Sequence, residues 1–197
     1  MVYLDQAATS FPKLEEVKQA VMSAFDVAGN ANRSSNMDSS RLIFEARRNI
    51  AQFFGLSDFH RVILNGGNTE SLNTCIKGIL KEKDHVITTY AEHNSVLRPL
   101  YELEEKGIIT LTICAPYLED IKNHIQKDTR MVIMTHSSNV TGEIFDVDLI
   151  GQYCKECGVL FMVDAAQSAG HIPVSMENID VLCFSCLLYT SPSPRDS

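Results

Sequence analysis

Long apolar runs are missing from this sequence. Its most continuous stretches, such as Val159 to Val163, fall far short of the roughly 18 residues that a membrane-spanning helix requires. The opening MVYLDQAATSFPK has no basic segment followed by an apolar one, so it does not have the layout of a signal peptide. A soluble, cytoplasmic chain without a membrane partner is expected. Positive charge is also scarce: 17 Lys and Arg stand against 25 Asp and Glu, for a formal net charge of -8 at pH 7. The basic residues are scattered, which leaves no basic face for a nucleic-acid backbone. Any anionic ligand has to be held by local devices, such as helix N-termini and backbone amides, because the overall field repels it.

Two nucleotide signatures are absent as well, the GxGxxG fingerprint and the GK[ST] of a P-loop. Six cysteines without a secretory segment do not make a disulfide framework. Cys75, Cys114 and Cys183 lie in apolar surroundings and read as small core residues. Cys154 and Cys157 form a CxxC, but there is no second ligand pair, and they fall late in a predicted helix rather than at a helix start. No metal site is expected.

What is present suffices for a sizeable core: 197 residues, of which 45% are hydrophobic. Pro12 just inside a periodic pattern of Leu14, Val17, Val21 and Phe25, with Gly29 after it, predicts a first helix. Leu42, Ile43, Ala46, Ile50, Phe53 and Phe54 predict a second from Asp38 to Phe54, ending at Gly55. Six strand-like runs follow: RVILN, HVITTY, IITLTI, RMVIMTH, VLFMVD and DVLCFS. Helical stretches over 69–80, 95–106, 118–125 and 147–157 lie between most of them. Alternation of this kind predicts an α/β fold, a mostly parallel sheet covered by helices on both faces, with ligands at the carboxyl ends of the strands. The pattern stops at CLLYTSPSPRDS, whose prolines remove backbone donors. Residues 1–185 are therefore expected to form one domain and 186–197 a non-native or disordered tail.

Polar clusters stand at four successive strand ends. After RVILN comes GGNTES, where glycines allow a tight turn and Asn68 or Thr69 could cap a helix, a phosphate cradle or an ordinary loop. After HVITTY comes His93, which could stack on a planar ligand or cap the next helix. After RMVIMTH comes Asn139, a donor to a ligand or part of a turn before Gly142. Asp164 ends an apolar strand, and a carboxylate delivered from a dry interior needs a partner. A protonated pyridine nitrogen is one such partner, with Gln167 in reach of a ring oxygen; capping of a following helix is the other reading.

The blocks YLDQAATSFPK, NGGNTESLN, AEHNSVLRPLYELEEKG, HSSNVTGE and LFMVDAAQSAGHIPV resemble, in order and spacing, those of the class V aminotransferase group. Within it the cysteine desulfurase or selenocysteine lyase branch is most similar, over about residues 1–185. The resemblance implies the large domain of a fold-type I pyridoxal-phosphate-dependent transferase, here incomplete. It implies pyridoxal 5'-phosphate as cofactor, its phosphate on the amides around Gly67 and Asn68 with Thr69 and Ser185. His93 would stack on the ring, Asn139 and Gln167 would bind the ring hydroxyl, and Asp164 would pair with the ring nitrogen. Arg33 and its Asn-rich loop would lie near the site, often across a homodimer interface. The implied reaction converts L-cysteine to L-alanine with transfer of sulfur to a thiol, on a sulfur-acceptor protein in some members. Selenocysteine lyase and aminotransferase are the alternatives.

The resemblance breaks after Ser185, where the family continues with glycine, histidine and the Schiff-base lysine. Every lysine here lies at or before Lys155, and no cysteine matches the persulfide-forming position. The parent protein is therefore expected to continue beyond Ser185, and the chain as it stands to be an inert fragment.

Overall fold

The computed structural model of the chain describes residues 2–27 and 37–185. Gly29, Arg33 with its loop, and the segment 186–197, all assigned from the sequence, lie outside the described residues. The described residues group into two compact units, one up to Leu64 and one from Asn65 to Ser185.

In the first unit α1 spans Glu15–Phe25, with Glu15 and Glu16 in its first turn, where carboxylates offset the helix dipole. Leu14, extended, precedes the helix, so Pro12 sits outside rather than just inside it. A 16-residue helix, α2, spans Asp38–Phe53 and ends before Gly55, whose φ of +71° favours glycine. The RVILN run is not a strand. Phe59–Arg61 form a short 3-10 turn, and the residues after it pair with no strand among the described residues. A β-prone run becomes a strand only when a neighbour takes up its backbone hydrogen bonds.

The second unit is built on five parallel strands in the order β2-β1-β3-β4-β5. They are β1 Asp84–Thr89, β2 Ile109–Cys114, β3 Thr129–Thr135, β4 Leu160–Asp164 and β5 Val181–Cys183. The helices are α3 Asn68–Ile79, α4 Asn94–Glu105, α5 Leu118–His124 and α6 Val147–Cys157. All five strands and all four helices were predicted from periodicity. Since the side chains of a strand alternate, each buried strand feeds two cores. Val86, Met131, Ile133 and Met162 pack with Leu72 and Ile76 of α3 and Val96 and Leu100 of α4. Their neighbours Ile87, Val132, Phe161 and Val163 are equally buried, and α5 packs beside α6. The chain leaves β1 for β2 on one side and returns to β3 on the other, which opens a crevice at the carboxyl ends of the strands. No described helix is long and apolar enough to cross a membrane.

Candidate active site

The strand ends carry the polar residues expected there. Asp164, the last residue of β4, is 3% exposed. Both hydrogen bonds to its carboxylate fall on Oδ1, from Asn68 Nδ2 at 2.8 Å and from the Ala166 amide at 2.9 Å. Burial pushes its pKa up; the two hydrogen bonds and the nearby His93 imidazole pull it back. No helix follows: residues 165–172 form tight turns, and Ala166 makes Asp164 a turn cap rather than a helix cap. Thr135 and His136, at the end of β3, hydrogen-bond to the Asp164 carbonyl and tie the two strand ends together.

The cradle after Leu64 is built differently from the expected one. Gly67, at φ +150°, is the residue that precedes α3, and neither Asn68 nor Thr69 caps the helix with its side chain. Asn68 is inside the helix, and its carboxamide reaches Asp164 instead. As first-turn residues, Asn68 and Thr69 present amides that have no acceptor within the helix. The loop braces itself: the Gly66 amide donates to Glu70 Oε2 at 2.7 Å, and Ser71 Oγ donates to Asn65 Oδ1 at 2.9 Å. The Glu70 carboxylate is a negative charge next to the first turn and opposes an anion there.

His93 caps α4. Its Nδ1 accepts from the Ser95 amide at 3.1 Å and lies 2.8 Å from Ser95 Oγ. A backbone amide only donates, so the neutral ring carries its proton on Nε2. The ring is exposed and, with Thr69, Asn73, Ser95 and Arg98, lines a cleft of about 420 Å³. Asn139 is exposed in a turn that Ser138 Oγ holds by accepting from the Val140 and Thr141 amides. Gln167 and Ser185 are half-buried, two to three residues beyond the ends of β4 and β5. Thus Asn68 and Asp164 meet directly, His93 is near enough to act on the Asp164 charge, and Thr69 shares the cleft with His93. Asn139, Gln167 and Ser185 stand at neighbouring strand ends and, like Asn68 and Asp164, do not line that cleft.

Four lysines of this unit have acidic or carbonyl partners. Lys77 and Lys106 pair with Glu102, Lys122 pairs with Glu119, and Lys155 reaches the Glu177 carbonyl. The CxxC pair closes α6, with Cys154 buried and Cys157 exposed. Cys114 and Cys183 are buried as expected, but Cys75 is only half-buried. A hydrogen bond from Cys183 brings the Cys75 thiol down to about 7.

Sequence reasoning overlooked Asn73 and Arg98 in the cleft, and Glu92 behind it. Glu92 is 8% exposed; its Oε1 accepts from Thr89 Oγ1 at 2.6 Å and from the Thr135 amide at 2.8 Å. A glutamate two residues after the apolar run HVITTY was the available signal.

Comparison with known proteins converges on one family. The aminotransferase class-V profile matches residues 2–187. The cysteine desulfurase IscS of Buchnera aphidicola subsp. Acyrthosiphon pisum is 36% identical over 202 residues, covering 93% of this chain and 49% of that protein. Among solved structures, the Escherichia coli cysteine desulfurase CsdA superposes with a TM-score of 0.81 at 27% identity, over 97% of this chain and 52% of its own. SspA in complex with cysteine gives a TM-score of 0.87 at 26% identity, over 98% of this chain and 59% of its own. The chain spans about half the length of the curated relatives it matches. With its parallel sheet, its polar strand ends and this match over nearly its whole length, the chain belongs to the class-V aminotransferase family.

Proposed function

We propose that this chain forms the cofactor-holding part of a pyridoxal-phosphate-dependent cysteine desulfurase. The observation that carries the reading is the buried Asp164 carboxylate, oriented through Oδ1 by Asn68 and Ala166 and accompanied by His93. Such a carboxylate suits the protonated nitrogen of a pyridine ring: it is pre-oriented, sparingly solvated and short of a cationic partner. The bound cofactor supplies an electron-accepting ring, and protein groups tune it.

Asp164 holds the ring-nitrogen proton, and its own burial makes that ion pair stronger than it would be in water. The free first-turn amides of α3 with the Thr69 hydroxyl take the phosphate, helped by Ser185. His93 packs against the ring face, and Asn139 and Gln167 serve the ring hydroxyl. Cysteine as substrate is supported by the cysteine desulfurases that the chain resembles and by the cysteine-bound SspA structure. Formation of alanine, delivery of sulfur to a thiol of an acceptor protein, and a homodimer complete the reading; a cytoplasmic setting suits the free thiols of Cys75, Cys114, Cys154, Cys157 and Cys183. Selenocysteine lyase and amino-group transfer use the same cofactor-holding residues and differ in groups beyond this cluster.

Titration with pyridoxal phosphate and, separately, with NAD tests the reading. Saturable binding of the former alone is expected, with affinity in Asp164→Ala lower by about tenfold to a hundredfold, the worth of a hydrogen bond to a charged group. Binding of NAD, or an Asp164→Ala variant that binds pyridoxal phosphate as tightly as the parent, would sink it. Borohydride reduction should trap the aldehyde at no single lysine, because Lys77 and Lys106 are paired with Glu102, Lys122 with Glu119, and Lys155 with the Glu177 carbonyl.

A further inference from the structure

Glu92 has no part in the reading above, yet it is the most deeply enclosed acidic side chain beside Asp164. It lies in the turn between β1 and α4, one residue before His93. Oε1 takes two hydrogen bonds, one from Thr89 at the end of β1 and one from the Thr135 amide at the end of β3. Oε2 is fully buried and has no partner. Among the described residues, no lysine or arginine pairs with it. An ionised carboxylate with one unsolvated oxygen is costly to bury, whereas a protonated one places its hydrogen on that oxygen and sheds the charge.

The titratable group facing it across the strand ends is Asp164 on β4, and mutual repulsion means the two do not hold two negative charges cheaply. Burial raises the pKa of Asp164 too, but its two hydrogen bonds and His93, next in the chain after Glu92, favour the anion there. His136, beyond β3, is influenced by Asp148 rather than by this pair. Two donors converge on the Asp164 carboxylate from Asn68 and Ala166 as well, but there no oxygen is both fully buried and unpartnered. The proton therefore belongs on Glu92 and the charge on Asp164.

We propose that Glu92 is a positioning residue, a neutral carboxylic acid that clips the His93 turn to the ends of β1 and β3 and leaves Asp164 as the one anion of the cluster. Burial pushes the pKa of Glu92 up to about 8, in keeping with that role. For a carboxyl raised in the folded state, the associated stability is present at acid pH and is lost as pH rises through the folded value. The unmodified chain should thus lose stability as pH climbs toward about 8, and Glu92→Gln, which keeps the shape without the titrating proton, should lose less over the same range.

Infrared spectroscopy of the folded chain decides the matter without any cofactor. At pH 7 the carbonyl band of an un-ionised carboxylic acid should be present in the unmodified chain and in Asp164→Asn, and absent from Glu92→Gln. Titrating the unmodified chain upward should remove the band with a midpoint near 8, a measurement that needs no variant. Absence of the band at pH 7, its persistence in Glu92→Gln, or its loss in a folded Asp164→Asn would each overturn the proposal. As a check on positioning, Glu92→Gln should hold the unfolding midpoint at pH 7 while Glu92→Ala lowers it; equal losses in both would also overturn it.

Discussion

The two units contain equally persuasive amphipathic helices and use them in opposite ways. In the first, α1 buries no residue at all and α2 buries only Ala51, while Leu14, Met22, Phe25 and Phe53 are 63 to 80% exposed. In the second, α4 buries Ser95, Val96, Pro99 and Leu100, and α3 sets Leu72 and Ile76 at 0% exposure. Periodicity reports that a helix has an apolar side, not that something covers it. Apolar area stabilises a fold only when it leaves water, so the second unit holds most of the burial energy of the described residues.

Truncation of matched side chains should break this comparison if it is wrong. Leu100→Ala removes a fully buried side chain between α3 and the sheet, and is expected to cost about 2 to 5 kcal/mol. Phe25→Ala removes a larger but 80% exposed one and should change stability by about 0.5 kcal/mol or less. Urea unfolding of both variants measures the contrast; comparable losses would mean that α1 is covered in solution.

Within the second unit a smaller effect separates the site from the core. Asn68→Ala deletes one of two hydrogen bonds to the buried Asp164 carboxylate and is expected to cost about 1 to 3 kcal/mol at neutral pH. A variant as stable as the parent by thermal unfolding would show that the Asn68 contact contributes nothing to holding Asp164.

The smallest effect is expected on the surface of the first unit. Arg41 and Glu45, one turn apart on α2 and 2.9 Å from each other, are 78% and 43% exposed in their side chains. Arg41→Ala should cost about 0.5 kcal/mol or less, and less again at high salt, where exposed charges are screened. A loss several times larger would place this pair in a contact that the unit by itself does not contain.

Local chemistry made most of the fold legible. HVITTY, IITLTI, RMVIMTH, VLFMVD and DVLCFS became strands because each is flanked by others whose backbones it pairs with, and RVILN, equally β-prone, did not because it lacks such a neighbour among the described residues. Asp164, His93 and Asn139 were placed correctly at strand ends, since the residue that follows a parallel strand has nowhere to be but the rim of the sheet. Asn68 was read as a helix cap because Asn commonly is one. Gly67 already provides the break in the backbone, which frees the Asn68 side chain for Asp164.

By itself, then, the sequence determined most of the helix and strand segments, RVILN apart, that the strands run parallel, and that polar residues gather along one edge. These follow from side-chain periodicity and chain connectivity, which act over a few residues. Only the tertiary structure decided that Asn68 meets Asp164 across 96 positions, that Glu92 is enclosed with one oxygen unpartnered, and that α1 and α2 keep their apolar faces open. Those outcomes depend on distances through space and on the exclusion of water, which set hydrogen bonds and protonation and have no local signature in the chain.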